Sequence, residues 1–590
     1  MFTKPTYVAD FETINRNGKE EVWLWDVCNV VSKKHTTGTE LEDFWNHLEN
    51  LKFSSIIYFH NLRFDGSFLM DYLLKNGYTF NDVQTNRLHK KEFSCLVTDL
   101  GQYFSINYRN NQGKIINIWD SAKLIPLSVK QMAQDFALVI TKGEIDYTKF
   151  RPKGYIPTDK ELDYVKRDTE IVADVLTEFK EEGFDKMTLS SCAFDINKKI
   201  MGNEYKQHFG WWESHGNDNI DEYIINKNDE NNELRVNSID EYMRRAYRGG
   251  FCATNPKHIN TTVRDAVFYY DVNSKYPFEM AKSPMPVGKP LPFEGEYVID
   301  KEYPLYIQRI LIDCELKENG IACILIKNKG IGNKYLEDSD GIIPLTLTNL
   351  DMKLLEENYN IYHIEYLDGF KFKAKVGLFD AYISHFMEMK ITAEKEGKKG
   401  KRKIAKLSMN SLYGKFGQNP KRRKKIPKIE DGLLKFERGE MQTSEKCNYL
   451  PVAIFVCAWG RYHIIEDIMK IEKIKPGAWI YTDTDSILTT IKLDSSLTHS
   501  TELGKYKIER IFKKSRYLGP KTYWGITNDN KIVCKACGCN TKALKNFPIG
   551  KFNYNHDVRN GKVYLKTVEG GKRLVSKEFK IRNRFDDKRR

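Results

Sequence analysis

The stretch Trp479-Ile480-Tyr481-Thr482-Asp483-Thr484-Asp485-Ser486-Ile487 narrows what this chain can become more than any other. Apolar residues lead into two aspartates one residue apart and resume after them. In a strand, alternate side chains share a face, so Asp483 and Asp485 would project together. A tight turn between them would also let them converge. Two converging carboxylates repel each other unless a cation sits between them. Mg²⁺ takes one or two carboxylates plus substrate phosphates and suits such a pair. The bland alternative is a surface turn, where Asp and Thr are common.

At 590 residues the chain is too long for one core, so several domains are expected. Its charge, +14 from 94 Lys+Arg against 80 Asp+Glu, suggests a polyanionic partner, although solubility alone could account for it. The 13% aromatic content adds rings that stack on bases, and rings in a basic groove suit single-stranded nucleic acid. The start, Met1 to Pro5, has no apolar core of a signal peptide, and the apolar run Leu450 to Trp459 is too short to span a bilayer. The 11 Cys show no disulfide framework, which makes a reduced intracellular chain the expectation. Cys534, Cys537 and Cys539 could begin a zinc site, but no second ligand pair completes it, so free thiols are expected.

Residues 1 to about 185 read as one α/β unit. Tyr7 to Thr13 is a strand with Asp10 and Glu12 on one face, and Ser55 to Asn61 is a second strand. The latter breaks before Asp65, after which Phe68, Leu69, Tyr72 and Leu73 follow at helical spacing. Glu161 to Phe179 reads as a helix on which Tyr164 and Asp168 share a face. Each acid alone is an ordinary surface group. Together, Asp10, Glu12, Asp65 and Asp168 could hold two divalent ions about 3.5–4 Å apart, the arrangement that clamps both oxygens of an in-line phosphodiester displacement. Tyr164 could orient the attacking water.

Asp10-Phe11-Glu12-Thr13, Asn61-Leu62-Arg63-Phe64-Asp65-Gly66 and Tyr164-Val165-Lys166-Arg167-Asp168 resemble the three exonuclease motifs of the 3′–5′ proofreading domain of DNA polymerases, an RNase H-like fold. The resemblance implies that Lys142 assists hydrolysis and that Thr13, His60, Asn61, Phe64 and Tyr147 hold the frayed primer end. Ser121 matches a DNA-contacting serine, followed by Ala122 where the family often has Leu.

From about 186 to 245 the sequence turns polar, and Asn217 to Asn232 reads as a loop or linker. Tyr247-Arg248-Gly249-Gly250-Phe251 could be a simple turn, but it resembles the YxGG motif that passes the primer between sites, with Tyr247, Gly249 and Gly250 at the DNA. Ala266 to Pro277 is a buried strand ending in Asp271. It resembles the palm motif DxxSLYP, with Lys275 in place of Leu. The resemblance makes Asp271 the first palm metal ligand, joined by Val272, and Tyr276 the ring that rejects a ribose 2′-hydroxyl.

Residues from about 283 to 378 carry strands and turns without a catalytic charge cluster. Phe379 to Phe416 reads as two helices joined by a basic turn, with Lys406, Asn410 and Tyr413 on one face. Lys406 to Gly414 resembles the fingers motif KxxxNSxYG, with lysine, amide and ring meeting triphosphate, base and sugar. The basic run Lys421 to Lys425 precedes a mixed-charge segment. Tyr481 to Ser486 resembles YxDTDS, which makes Asp271 and Asp485 ligands and Asp483 their support. Lys521-Thr522-Tyr523 resembles the KxY motif that grips the primer terminus.

By these motifs, in this order, the chain is identified as similar to the protein-primed family B DNA polymerases of small phages with linear genomes. The fold expected is α/β and α+β multidomain. The resemblance implies an RNase H-like 3′–5′ exonuclease domain (1–188), then a right-hand polymerase: palm (189–282 and 451–545), fingers (379–417) and thumb (546–590). A first terminal-protein region (283–378) and a second, a β-hairpin over the template (418–450), are inserted. It also implies two Mg²⁺ at each site (Mn²⁺ as a substitute), and template-primer DNA, dNTPs and a terminal protein as partners. A monomer without membrane attachment, working in the host cytoplasm during infection, completes the expectation, along with strand displacement and high processivity. A family B polymerase using ordinary primers and a stand-alone 3′–5′ nuclease are the alternatives. A non-enzymatic DNA-binding protein would explain the charge but not the carboxylates.

Overall fold

The computed structural model describes residues 3–218, 236–328, 332–444, 447–539, 541–545 and 547–582. Most of the linker expected at Asn217 to Asn232 lies outside them.

The first eight-stranded sheet runs, in spatial order, His35–Gly38, Lys19–Asn29, Thr6–Arg16, Ser55–Phe59, Ile115–Asp120, Tyr103–Arg109, Glu92–Val97 and Thr79–Phe80. Thr6–Arg16, Ser55–Phe59 and Ile115–Asp120 pair in parallel, so the segments that follow them meet at one edge. Alternation along these strands divides the apolar residues between two cores. Ala9, Phe11, Ile57 and Phe59 pack on one face with Leu69 and Leu73, and Val8 and Tyr58 pack on the other with Ile171 and Val175. The helix on that second face, Asp159–Glu181, starts at a reciprocal cap between Thr158 and Glu161.

The second sheet has Val267–Val272 at its centre, between Ser486–Thr489 and Tyr506–Gly519. Trp479–Asp483 and Cys252–Thr254 extend it on one side, and Thr522–Thr527 and Ile532–Lys535 on the other. A third sheet orders Met285–Glu294, Tyr359–Lys375, Leu305–Leu316 and Ile343–Thr348. The two helices expected after Phe379 are Asp380–Lys395 and Lys399–Phe416. Lys421–Glu430 and Leu433–Thr443 form one separate hairpin, and Asp557–Val568 and Gly571–Lys580 form another.

Two segments differ from their sequence reading. The polar stretch after 186 is largely helical, as Leu189–Met201, Asn203–His215 and Ile239–Arg245, because Phe194, Tyr205, Phe209 and Trp212 are buried in the main core. The 283–378 segment is not strands and turns alone. It holds the helix Asn349–Asn358, started by a reciprocal cap between Thr348 and Asp351. The apolar run at Leu450 belongs to the helix Leu450–Ile474, and no helix among the described residues is long and apolar enough to cross a membrane.

That helix carries Arg461, 2% exposed, which pairs with Asp351 through three contacts of 2.8–3.3 Å and also donates to the carbonyls of Arg248 (2.7 Å) and Gly249 (2.9 Å). Arg248 in turn donates to the carbonyls of Leu325 and Thr346. One buried cation thus joins the third sheet's helix to the double-glycine loop. Asp351→Ala would strand it and should destabilise the fold by about 3–5 kcal/mol, whereas replacing both partners with apolar residues should cost far less. Chemical denaturation followed by intrinsic fluorescence checks both values.

Candidate active sites

At the edge of the first sheet, Asp10 and Glu12 project from one strand, with a bulge after Glu12. Asn61, at φ 75°, turns the chain out of Ser55–Phe59, and Asp65 begins the helix Asp65–Lys75. The Asn61 amide is fixed by Asp120 Oδ1 at 3.0 Å. Asp168 comes from the Asp159–Glu181 helix. The four acids line one cavity of about 1070 Å³ together with Thr13, His60, Asn61, Phe64, Lys142, Tyr147 and Tyr164, and Tyr564, Leu565, Arg573 and Leu574 of the C-terminal hairpin border it.

Burial and mutual repulsion dominate this cavity. Burial, then the charge of Asp168, pushes Asp10 up to about 7. Burial and Asp10 hold Glu12 and Asp65 well above the ordinary carboxylate range. Buried oxygens of Asp65 and Asp168 have no hydrogen-bond partner. Lys142 pairs with Asp168, and its ammonium lies 5.3 Å from the centre of the Tyr164 ring. The Tyr147 and Tyr164 hydroxyls hydrogen-bond at 3.0 Å. The Thr13 hydroxyl donates to Glu20 at 3.4 Å, and the Phe64 ring packs edge-on to Phe68.

His60 and Ser121 turn inward. His60 Nε2 donates to the Leu127 carbonyl at 2.7 Å, and its Nδ1 meets the Ser121 hydroxyl at 3.0 Å. Ser121 is fully buried and also donates to the Phe59 carbonyl. As placed, it presents no surface to a bound strand, so the direct contact expected of it gives way to an indirect role in orienting His60.

At the second site, Trp479–Asp483 and Ser486–Thr489 form a hairpin, so the tight-turn reading of the two aspartates is the one realised. Thr484 sits at φ 65°, rare for a β-branched residue. Asp485 N donates to the Asp483 carbonyl at 2.7 Å, and Thr484 N to the Phe251 carbonyl at 2.7 Å. Gly250 is required here, since a Cβ would stand 2.7 Å from Thr484 Cγ2 and 2.9 Å from the Tyr276 hydroxyl. Asp271 lies opposite Ser486, and Val272 N donates to the Asp485 carbonyl at 2.7 Å. The Val272 side chain is buried, so only its carbonyl could serve a ligand.

Burial and Asp485 push Asp271 up to about 7, against the charges of Lys406 and Lys507. Burial and Asp483 raise Asp485. Lys521 Nζ is 3.9 Å from Asp483. Tyr523 is buried and packs at a tilt against Tyr481 and Tyr517, so of that pair Lys521 is the more accessible. Lys406 and Asn410 are exposed on their helix, and the Tyr413 ring meets Tyr276 at 4.5 Å between centroids. Tyr247 packs on Gly417, where a Cβ would approach its hydroxyl to 2.7 Å.

Among the described residues no three His, Cys, Asp or Glu side chains close into a single ligand cage, and none do so around Cys534, Cys537 and Cys539. The acids meet as electrostatic neighbours. Hard oxygen donors of raised proton affinity, with unpartnered buried oxygens on Asp65 and Asp168, have a chemistry that fits Mg²⁺ or Mn²⁺.

The family model "DNA polymerase type B, organellar and viral" matches residues 51–509. The chain belongs to this family. It is 35% identical to the DNA polymerase of Bacillus phage phi29 over 533 residues, covering 88% of this chain and 86% of that protein. It is 30% identical to the DNA polymerase of Streptococcus phage Cp-1 over 610 residues, 98% of each. Phi29 DNA polymerase solved with primer-template DNA and incoming nucleotide superposes with a TM-score of 0.87 at 32% identity, covering 98% of this chain and 100% of that one. This DNA polymerase therefore has the fold expected of it: an exonuclease domain followed by palm, fingers and thumb.

Sequence reasoning missed three features. Lys390 on the first fingers helix is half-buried, and its basicity is lowered by burial and by Arg402, Lys406 and Lys507, so four cations crowd one place. Asp120 fixes the Asn61 turn. Arg151, buried against Trp23 and paired with Glu161, adds positive charge behind Glu12. Arg402 was visible only as part of the basic turn between the two helices, and no pattern singled out Lys390.

Asp10 and Asp271 bind protons more tightly folded than unfolded, so without cations stability present below about pH 3.8 is lost as pH rises through about 7. In chelator the melting temperature should fall between about pH 4 and 7, and the increment restored by Mg²⁺ should grow over the same range. Differential scanning calorimetry checks both slopes.

Proposed function

We propose that this polymerase extends a primer strand at the second site and removes mispaired 3′ ends at the first, and that it replicates a linear phage genome from a terminal-protein primer. The observation that carries the reading is the pair of separate acidic centres, each with its own lysine and tyrosines. Asp10, Glu12, Asp65 and Asp168 would hold one pair of Mg²⁺ or Mn²⁺ ions. Asp271, Asp485 and the Val272 carbonyl would hold the other, with Asp483 in support. Such ions, when bound, activate the attacking oxygen and neutralise the leaving one.

The chain's own residues do the rest. At the first site Tyr164, tied to Tyr147, orients the attacking water, and Lys142 offsets the acidic charge. Thr13, Asn61 and Phe64 hold the frayed end over a turn set by His60, Ser121 and Asp120. At the second site Lys406 and Lys390 receive the triphosphate, Asn410 and Tyr413 face base and sugar, and Tyr276 blocks a ribose 2′-hydroxyl. Lys521, with Tyr523 behind it, holds the primer terminus, and Tyr247, Gly249 and Gly250 guide the strand between sites. Template-primer DNA and dNTPs, the ligands of the phi29 complex, are the partners proposed.

On this reading the domains are the exonuclease (1–188), palm (189–282 and 451–545), fingers (379–417) and thumb (546–590). The terminal-protein regions are 283–378 and 418–450, the second containing the Lys421–Thr443 hairpin. Strand displacement, high processivity and a monomer working in the host cytoplasm belong to the same proposal.

Asp485→Ala should abolish nucleotide incorporation and leave 3′–5′ digestion within about twofold, and Asp10→Ala should do the reverse, because each removes a charge-stabilising group from one centre only. If either change ends both reactions in a folded protein, the two-centre reading is wrong. Transfer of labelled dAMP to a purified terminal protein supports protein priming. Extension of annealed oligonucleotides alone would instead make this an ordinary-primer enzyme.

A further inference from the structure

Lys275 stands beside Tyr276 at the start of the helix Lys275–Lys282, and its charge is buried, with the residue only 5% exposed. Its ammonium lies 3.6 Å from Glu279, which is fully buried. His463 Nδ1 donates to the same carboxylate at 3.0 and 3.1 Å, and the Ser283 hydroxyl donates to it at 2.6 Å. Burial alone would push Glu279 up, yet the His463 hydrogen bond and the Lys275 charge hold it below the ordinary carboxylate value.

A stability argument does not explain these groups. A buried ion pair can commonly be replaced by apolar side chains of similar volume without loss, which leaves the geometry it imposes as the property to examine. The geometry concerns Tyr276. Its helix has no side-chain cap, since Ser274 makes no capping bond. It is held from outside, by the Leu450–Ile474 helix. Gly460 of that helix faces both residues: a Cβ there would meet the Tyr276 ring at 3.3 Å and Lys275 Cε at 3.8 Å. His463 lies one turn further along the same face. The Trp459 ring leans on His463 at 5.3 Å, and its indole donates to the Pro284 carbonyl just past the helix carrying Tyr276.

We propose that Lys275, Glu279 and His463 form a buried charged brace that fixes Tyr276 against the Leu450–Ile474 helix, which makes Lys275 a positioning residue for discrimination at the sugar of the incoming nucleotide. The proposal rests on Tyr276 being the sugar-facing ring. Lys275 turns its ammonium to Glu279, and its charge is also felt at Asp485. It sets where the neighbouring ring stands, and a misplacement of about 1 Å at such a position can cost about a hundredfold in rate.

The test is the ratio of kcat/KM for dNTP over rNTP in single-nucleotide primer extension by the full chain. Tyr276→Val should lower it strongly. Lys275→Met should lower it by about tenfold, the scale on which small misplacements act. Lys275→Met combined with Glu279→Gln removes the charge left unpaired, so it should recover thermal stability while the ratio stays low. That split separates positioning from plain structural support. If Tyr276→Val lowers the ratio and both Lys275 variants keep the parental value, the brace is refuted and the role of Tyr276 stands. If the double variant regains ratio and stability together, the charge is merely structural and the proposal falls. If Tyr276→Val leaves the ratio unchanged, the sugar reading fails and takes this proposal with it.

Discussion

Arg461 is the tie on which the polymerising half depends. It is buried, and one guanidinium meets Asp351 on one side and the carbonyls of Arg248 and Gly249 on the other. A guanidinium presents five donors in a fixed fork, so it can hold a carboxylate and two carbonyls without moving. That grip positions Gly250 against Thr484, and Phe251 fixes the Thr484 amide. The turn that carries Asp483 and Asp485 is therefore shaped from outside the hairpin. Threonine would not adopt a positive φ there unless its surroundings enforced it.

Both centres obey the same electrostatics by different constructions. In the first, acids from one strand and two helices are gathered over a parallel edge, and Lys142 pairs with one of them. In the second, Asp271 stands near the end of a strand paired with Ser486–Thr489 and Asp485 sits in the turn beside it, tied by Val272 N to its carbonyl, with Lys406, Lys507 and Lys275 around them. Asp10 and Asp271 both reach about 7, because in each place a carboxylate is buried beside another one. A carboxylate raised this way has to be deprotonated before it can hold a cation.

Much of this was legible from local pattern. Period-two alternation put Asp10 and Glu12 on one face, and the break after Phe59 placed Asp65 at a helix start. Helical spacing grouped Lys406, Asn410 and Tyr413. What escaped was set by distant partners. The helices between 189 and 215 look polar because only one side of each meets the core. The helix at Asn349 was signalled by Thr348 and Asp351, a capping pattern within four residues. No local pattern could say that Asp351 would meet Arg461, 110 residues away. Ser121 matched a motif, yet its burial depends on His60 and Phe59 from another strand. Lys275 stood out as a departure, but its partners, Glu279 and His463, lie on two helices.

The two sheets are also assembled on different schedules along the chain. The first is complete once residue 120 has been made, and its covering helix ends at Glu181. The second recruits strands from Cys252 to Lys535 and lacks its central hairpin until Thr489. A ribosome that stalls anywhere from 200 to 478 would therefore release a fragment with every strand of the first sheet and no Asp485. Such a truncated product would carry the four acids of the first cavity without the C-terminal hairpin that borders it.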